Sequence, residues 1–233
     1  MHLIIANKLY SSWSLRPWLL MKAFDLPFEE TVIPLRQTNS GPRILEKSPS
    51  GKVPALIDDG QTIWESLAIV EYLADKFPSH AIWPRDARAR AHARSISNEM
   101  HASFLPLRGA CPMNLAKRFA VKTYPAEVEA NVARIASIWA EARHRFGALA
   151  QGPSAGPYLY GAFSAADAMY APVVTRLDTY QLAVDAPTRA YMDAILALPA
   201  FVAWRTAALA EPWSIPAYEV GHTAVETFHH PKP

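Results

Sequence analysis

The hydroxyl run Ser11-Ser12-Trp13-Ser14, followed by Arg16 and Pro17, is the first group of residues suited to chemistry. Serine is favoured where a helix opens; there its hydroxyl either caps exposed N–H groups or joins them in holding an anion. Both uses of Ser11 and Ser12 stay open on the sequence alone. Arg16 could support the loop or reach a substrate anion, but reads first as a solvated cation. Glu65-Ser66 is a second group: the carboxylate can pair with a cation, while the hydroxyl and an N–H at a helix start can bind an anion. Ser97, His101, Phe104 and Arg108 recur at spacings of three and four, and share one helix face if the helix survives to Pro106. A ring beside a fixed cation suits a ligand with an apolar body and an anionic group. The competing reading pairs Arg108 with a nearby carboxylate and leaves His101 as a surface or capping residue.

The elements that must position these groups change character near residue 78. Leu3-Ile4-Ile5-Ala6 is a short apolar run of strand type, and Leu15, Leu19 and Ala23 lie on one face of the helix that follows. Pro17 is expected within that helix's first turn. Phe28 to Ile33 reads as a second strand, and a weak helix follows around Ile44 and Leu45. Val53–Ile57 and Thr62–Trp64 flank Asp59-Gly60, a hairpin signal. Leu67, Val70, Leu73, Ala74 and Phe77 then keep helical spacing. The order is βαβ followed by ββα.

Beyond Pro78 and Pro84 no strand pattern is evident, and the rest reads as helical. Asp86 can cap a helix with a stripe through Ala89, Ala93, Ile96, Met100, Phe104 and Leu107, ended or kinked by Pro106. Val128, Val132, Ile135, Trp139, Ala142, Phe146 and Leu149 form a second stripe. Ser164-Ala165-Ala166-Asp167 has the form of a capping box with Asp in the place of Glu. Helices also fit Thr188–Leu198 and Ala200–Ala210, and the residues after Trp213 read as an extended tail with solvated His222, His229 and His230. The domains expected are 1–78, a linker at 79–85, and an all-helical unit at 86–233.

Of the 233 residues 51% are apolar and 19% charged, with a net charge of only +2, which points to a globular protein rather than a nucleic-acid binder or a disordered chain. Cys111 is the single cysteine, so neither an internal disulfide nor a thiolate metal centre can form. No apolar run approaches the roughly 18 residues that span a bilayer, and Met1–Ala6 is too short for a signal core. A cytoplasmic protein without membrane or metal partners is expected.

Four local patterns, each at the right place in this order, resemble the cytosolic glutathione transferases. Tyr10-Ser11-Ser12-Trp13-Ser14-Leu15-Arg16-Pro17 is similar to the serine-type active-site segment, closest to the zeta class. Gly51-Lys52-Val53-Pro54-Ala55-Leu56 is similar to the loop with a cis-proline, and Glu65-Ser66 to the pair that binds the γ-glutamyl end of glutathione. Gly161–Asp167 resembles the capping motif of the helical domain. The resemblance implies a thioredoxin-like α/β N-terminal domain, an all-α C-terminal domain, and a homodimer. It also implies glutathione as co-substrate, paired through the Val53 backbone beside Pro54, approached by Lys52, and held by Glu65 and Ser66.

Under that resemblance a hydroxyl of Ser11 or Ser12, with Ser11 favoured by alignment, would stabilise the glutathione thiolate for attack on a small hydrophobic electrophile. Lowering a thiol pKa of about 8.5 by two units requires about 2.7 kcal/mol of preference for the anion. A hydrogen bond to a charged group contributes roughly 1.5–3 kcal/mol, so one hydroxyl suffices. It acts as a donor and not as a base. Trp13 stands where the zeta pattern has cysteine, which argues against a covalent thiol–disulfide step and against maleylacetoacetate isomerisation. A glutathione-dependent reductase, lyase or isomerase, or a non-catalytic glutathione-binding protein, are the alternatives. Trp13, His101, Phe104 and Arg108 are the expected second-substrate pocket.

Overall fold

The computed structural model describes residues 1–218 and 221–229. The chain opens with β1 (His2–Ile5), α1 (Ser12–Ala23), β2 (Glu29–Val32) and α2 (Ser40–Leu45). These are followed by β3 (Ala55–Asp58), β4 (Gln61–Trp64) and α3 (Ser66–Lys76). β1 pairs parallel with β2 and antiparallel with β3, and β3 pairs antiparallel with β4, giving the order β2-β1-β3-β4. Both faces of β1 are covered. Leu3 and Ile5 join the main core, while Ile4 packs with Ile33, Ile44 and Ala55 in a smaller cluster that includes α2. Asp59 and Gly60 have φ values of 47° and 75°, the paired left-handed residues that a two-residue hairpin of matching twist requires.

α1 is buried from Ser14 to Met21 because it packs against α3 and also against two helices of the second half. Pro17 is the sixth helical residue rather than part of the first turn, so it removes the N–H that would otherwise reach the Trp13 carbonyl. The second half contains α4 (Ala87–Ala102), α5 (Leu105–Ala110), β5 (Lys117–Phe119) and α6 (Ala126–Ala142). It continues with α7 (Ala165–Thr179), α8 (Ala186–Leu196), α9 (Pro199–Leu209) and β6 (Ala224–Thr227). α1 lies on α7 and α9, and this contact fuses the two halves into one core.

The caps follow the sequence signals. Asp86 accepts the Ala89 N–H at 2.8 Å, and Asp167 Oδ2 accepts the Ser164 N–H at 2.8 Å in a reciprocal capping box. Asp167 also accepts from the Leu159 N–H and the Tyr191 hydroxyl, each at 3.1 Å, so it ties the start of α7 to the preceding loop and to α8.

Several expectations are corrected. β5 and β6 form an antiparallel ribbon, so the second half is mostly rather than wholly helical, and the chain after Trp213 is not an extended tail. The helix beginning at Ala87 stops at Ala102, Phe104 turns left-handed at φ 64°, and Pro106 sits in the first turn of the new helix α5. α6 runs into a π turn at Arg143–Gly147, which rotates the apolar stripe and leaves Leu149 73% exposed.

Candidate active site

β3 and α3 converge on one cavity. The Val53–Pro54 peptide immediately before β3 is cis, and Lys52, Val53, Pro54, Glu65 and Trp13 line a cavity of about 210 Å³. Glu65 joins β4 to α3 without a spacer residue, and to do so it adopts φ 68° and ψ 126°. A non-glycine residue in this region stores roughly 1–3 kcal/mol, and such residues cluster at binding sites. The turn leaves the Glu65 carboxylate about half exposed and puts Ser66 at the first helical position, fully buried. The Ser66 N–H, its hydroxyl and the start of an 11-residue helix therefore stand beside a carboxylate.

The serine segment directly precedes Trp13 in the chain, and neither Ser11 nor Ser12 is among the residues that line this cavity. Ser11 is the N-cap of α1: its hydroxyl donates to Ser14 Oγ at 2.8 Å and accepts the Ser14 N–H at 3.3 Å, and it is 7% exposed. Ser14 Oγ in turn accepts the Ala6 N–H at 3.0 Å, which holds the end of β1. Ser12, one residue on, is half-buried at the first helical position. The preference for Ser11 thus meets a hydroxyl already engaged as a cap.

Trp13 lies between two guanidinium groups. Arg16 and Arg108 sit 4.3 and 4.6 Å from its ring centre, and the His101 ring meets its edge at 5.1 Å. Arg16 is 2% exposed and not solvated as the sequence suggested; Nη1 donates to Ser66 Oγ at 3.5 Å, and Nε is buried without a partner. Burial, then Arg176 and Arg108, push the Arg16 pKa down to about 9, which still leaves a cation at neutral pH. Arg108 donates to the His101 and Ser103 carbonyls at 3.3 Å each, so the expected pairing with a carboxylate is not what holds it. His101 Nε2 is 3.7 Å from Glu65, and burial followed by Arg16 pushes its pKa down.

Phe104 is buried in the core and Ser97 lies at 0% exposure, so neither lines this cavity. The break after Ala102 is the reason: the left-handed Phe104 carries Arg108 back towards Trp13 while its own ring packs inward. Among the described residues no group of three or more His, Cys, Asp or Glu is placed to hold a metal. Cys111 is buried, and burial pushes its thiol pKa up. His229 is 5% exposed with Nδ1 3.0 Å from the Leu209 carbonyl, so it is not solvated, whereas His222 is half-buried against Phe119 and Tyr180; His230 lies outside the described residues.

Sequence reasoning missed the burial of Arg16. The available signal was its position as the lone cation within Leu15–Met21, a run otherwise apolar. Arg176, also buried and held by the Cys111 carbonyl at 2.9 Å, carried the same signal as the lone charged residue within Ala168–Leu177.

A small mixed sheet with a cis-proline loop facing a helix start, joined to a mostly helical second half, is the architecture of the glutathione transferases. Residues 10–76 match the family model described as glutathione S-transferase, N-terminal domain. A probable maleylacetoacetate isomerase of Caenorhabditis elegans is 36% identical over 107 residues, covering 46% of this chain and 49% of that protein. A zeta-class glutathione S-transferase of Euphorbia esula is 33% identical over 113 residues, covering 46% and 50%. The chain spans about half the length of these curated relatives. A glutathione transferase homologue from Burkholderia, crystallised with bound glutathione, superimposes with a TM-score of 0.65 at 21% identity, over 90% of this chain and 98% of that one.

Proposed function

We propose that the chain is a glutathione-dependent enzyme that binds glutathione between the Val53–Pro54 loop and the start of α3, and holds its thiol as thiolate beside Ser11-Ser12 for attack on a small hydrophobic electrophile. The observation that carries this reading is the convergence of Trp13, Lys52, Val53, Pro54 and Glu65 on one cavity. Glu65 pairs with the γ-glutamyl ammonium, and Ser66 with the helix start receives its carboxylate. The Val53 backbone pairs with the cysteinyl unit as an added strand, and Lys52 meets a carboxylate of the peptide. The thiol proton leaves to solvent, and a sulfur lone pair forms the bond to the electrophilic carbon while the pair of the bond broken there departs with the leaving anion, as halide does from an aryl halide.

Ser12 is the better placed donor to the thiolate, because Ser11 is occupied in capping. Arg16 and Arg108 supply a positive potential that also favours an anion. The same two cations suit an electrophile with an anionic group, so Trp13, His101 and Arg108 form the second-substrate side of the site. Relatives named as maleylacetoacetate isomerases favour a second reading, addition of the thiolate followed by its elimination to give an isomer. Trp13 in place of the motif cysteine leaves that route without a protein thiol. We also propose a cytoplasmic homodimer.

Retention on immobilised glutathione, followed by parallel conjugation and isomerisation assays, tests the proposal. Retention with turnover in either assay supports a glutathione-dependent enzyme and tells the two readings apart. Retention without turnover indicates a binding protein, and no retention overturns the reading.

A further inference from the structure

Far from the cavity in sequence, Glu211 is 8% exposed and reaches back to the segment that leads into the serine pair. Its Oε1 accepts the Lys8 N–H at 2.7 Å and its Oε2 accepts the Leu9 N–H at 3.2 Å. The carbonyls of the same two residues are taken as well. Trp204 Nε1 donates to the Lys8 carbonyl at 3.0 Å, and the Leu115 N–H to the Leu9 carbonyl at 3.1 Å. Every backbone polar group of Lys8-Leu9 is thus held by the second half of the chain.

This grip is passed on within three residues. The Asn7 carbonyl accepts the N–H groups of Tyr10 at 3.2 Å and Ser11 at 2.9 Å, and the Tyr10 carbonyl accepts that of Ser12 at 3.1 Å. The turn so formed aims the first N–H groups and hydroxyls of α1. A carboxylate, with an acceptor on each oxygen, meets both successive N–H groups at once. Burying its charge is costly, which makes a merely incidental placement expensive to maintain. The titratable groups facing it are Lys8, whose ammonium is tied to Glu30, and His229.

We infer that Glu211 is a positioning residue for the thiol site: by gripping Lys8 and Leu9 it fixes the turn that presents Ser11 and Ser12. The inference rests on the reading that this serine pair holds the glutathione thiolate. A displacement of about 1 Å at a reacting group can lower a rate by roughly a hundredfold, so a grip two residues from the pair has leverage. Val53, Glu65 and Ser66 lie on elements that Glu211 does not touch, so the binding of glutathione itself should be spared.

The test is ultraviolet titration of the bound glutathione thiol in the parent, Glu211→Gln, Glu211→Asp, Ser11→Ala and Ser12→Ala, together with steady-state rates on an activated aryl halide. Glutamine keeps the volume but sets an amide N–H against a backbone N–H. The thiol pKa should rise in Glu211→Gln, with kcat lowered about tenfold and KM for glutathione within about twofold of the parent. Glu211→Asp, which retains both oxygens at shorter reach, should fall between the two. A parent-like titration and kcat in Glu211→Gln, with only a lowered melting temperature, would assign Glu211 to structure and overturn the inference. Should Glu211→Gln not fold, Glu211→Asp decides in its place, by a raised or a parent-like thiol pKa. If neither serine variant moves the thiol pKa, the serine reading itself fails and this inference falls with it. If a serine variant moves it and the Glu211 variants do not, the inference alone fails.

Discussion

At the site, single side chains divide between holding the ligand and holding one another. Ser11 donates inward to Ser14, so Ser11→Ala removes a helix cap and should lower stability by about 1 kcal/mol in chemical unfolding. Ser12→Ala should instead raise the pKa of the bound thiol by about one to two units, the amount one charge-assisted hydrogen bond can supply. The opposite pattern would move the donor role to Ser11. Glu65→Ala/Ser66→Ala removes the partners of both charges on the γ-glutamyl end, and calorimetry should show glutathione affinity lower by at least about tenfold. Unchanged affinity would place the ligand elsewhere. Arg108 is anchored on two carbonyls and stacked on Trp13 rather than neutralised by a carboxylate, so its charge remains available. On matched neutral and carboxylated electrophiles, Arg108→Ala should selectively slow the carboxylated one, and equal losses on both would make Arg108 structural.

Among elements, the start of α7 shows how much one side chain can hold. Asp167 accepts from the Leu159 and Ser164 N–H groups and from the Ser164 and Tyr191 hydroxyls, all buried. Asp167→Ala leaves those donors unpaired and should cost roughly 3 kcal/mol or more. Burial pushes the Asp167 pKa up to about 6 despite these donors, against an unfolded value of about 3.9. Between those values the native chain keeps a proton that the unfolded chain has lost, so this group's contribution to stability falls as pH rises from about 4 to about 6. Urea unfolding of Asp167→Asn should lack that slope. This cap was legible because Ser164 and Asp167 lie three residues apart, as were the Asp59-Gly60 hairpin and the start of α3, all set by neighbours in sequence. β5 and β6 were not. Each is short, and Lys117 pairs with Thr227 more than a hundred residues away, so no local period announces the ribbon. The end of α4 escaped for a related reason: Phe104 keeps the spacing of the stripe, yet tertiary packing turns its backbone left-handed. Glu65 and Ser66 could be named from the local motif, whereas the buried Arg16 and the grip of Glu211 exist only once α1, α7 and α9 have packed together.

Across the whole molecule, packing of α1 on α7 and α9 makes the proposed thiol site a product of both halves, and the surface beside it bears on assembly. β4 is one of the two edge strands of the four-stranded sheet, and it ends in Trp64, which is 44% exposed directly before Glu65. An open edge invites pairing unless it is covered, and a half-exposed tryptophan is the kind of anchor that dominates protein interfaces. The proposed homodimer would cover this edge, and the ion pairs Lys76–Asp58 and Arg94–Glu71 provide charged groups on α3, β3 and α4 around it. Sedimentation of the parent at micromolar concentration should therefore give a species near twice 25.8 kDa. Trp64→Glu, which places a charge on the same edge without touching the core, should shift that species to the monomer while preserving the parent's circular dichroism. A parent that sediments only as monomer would contradict the dimer, and a dimer unaffected by Trp64→Glu would locate its interface on another face.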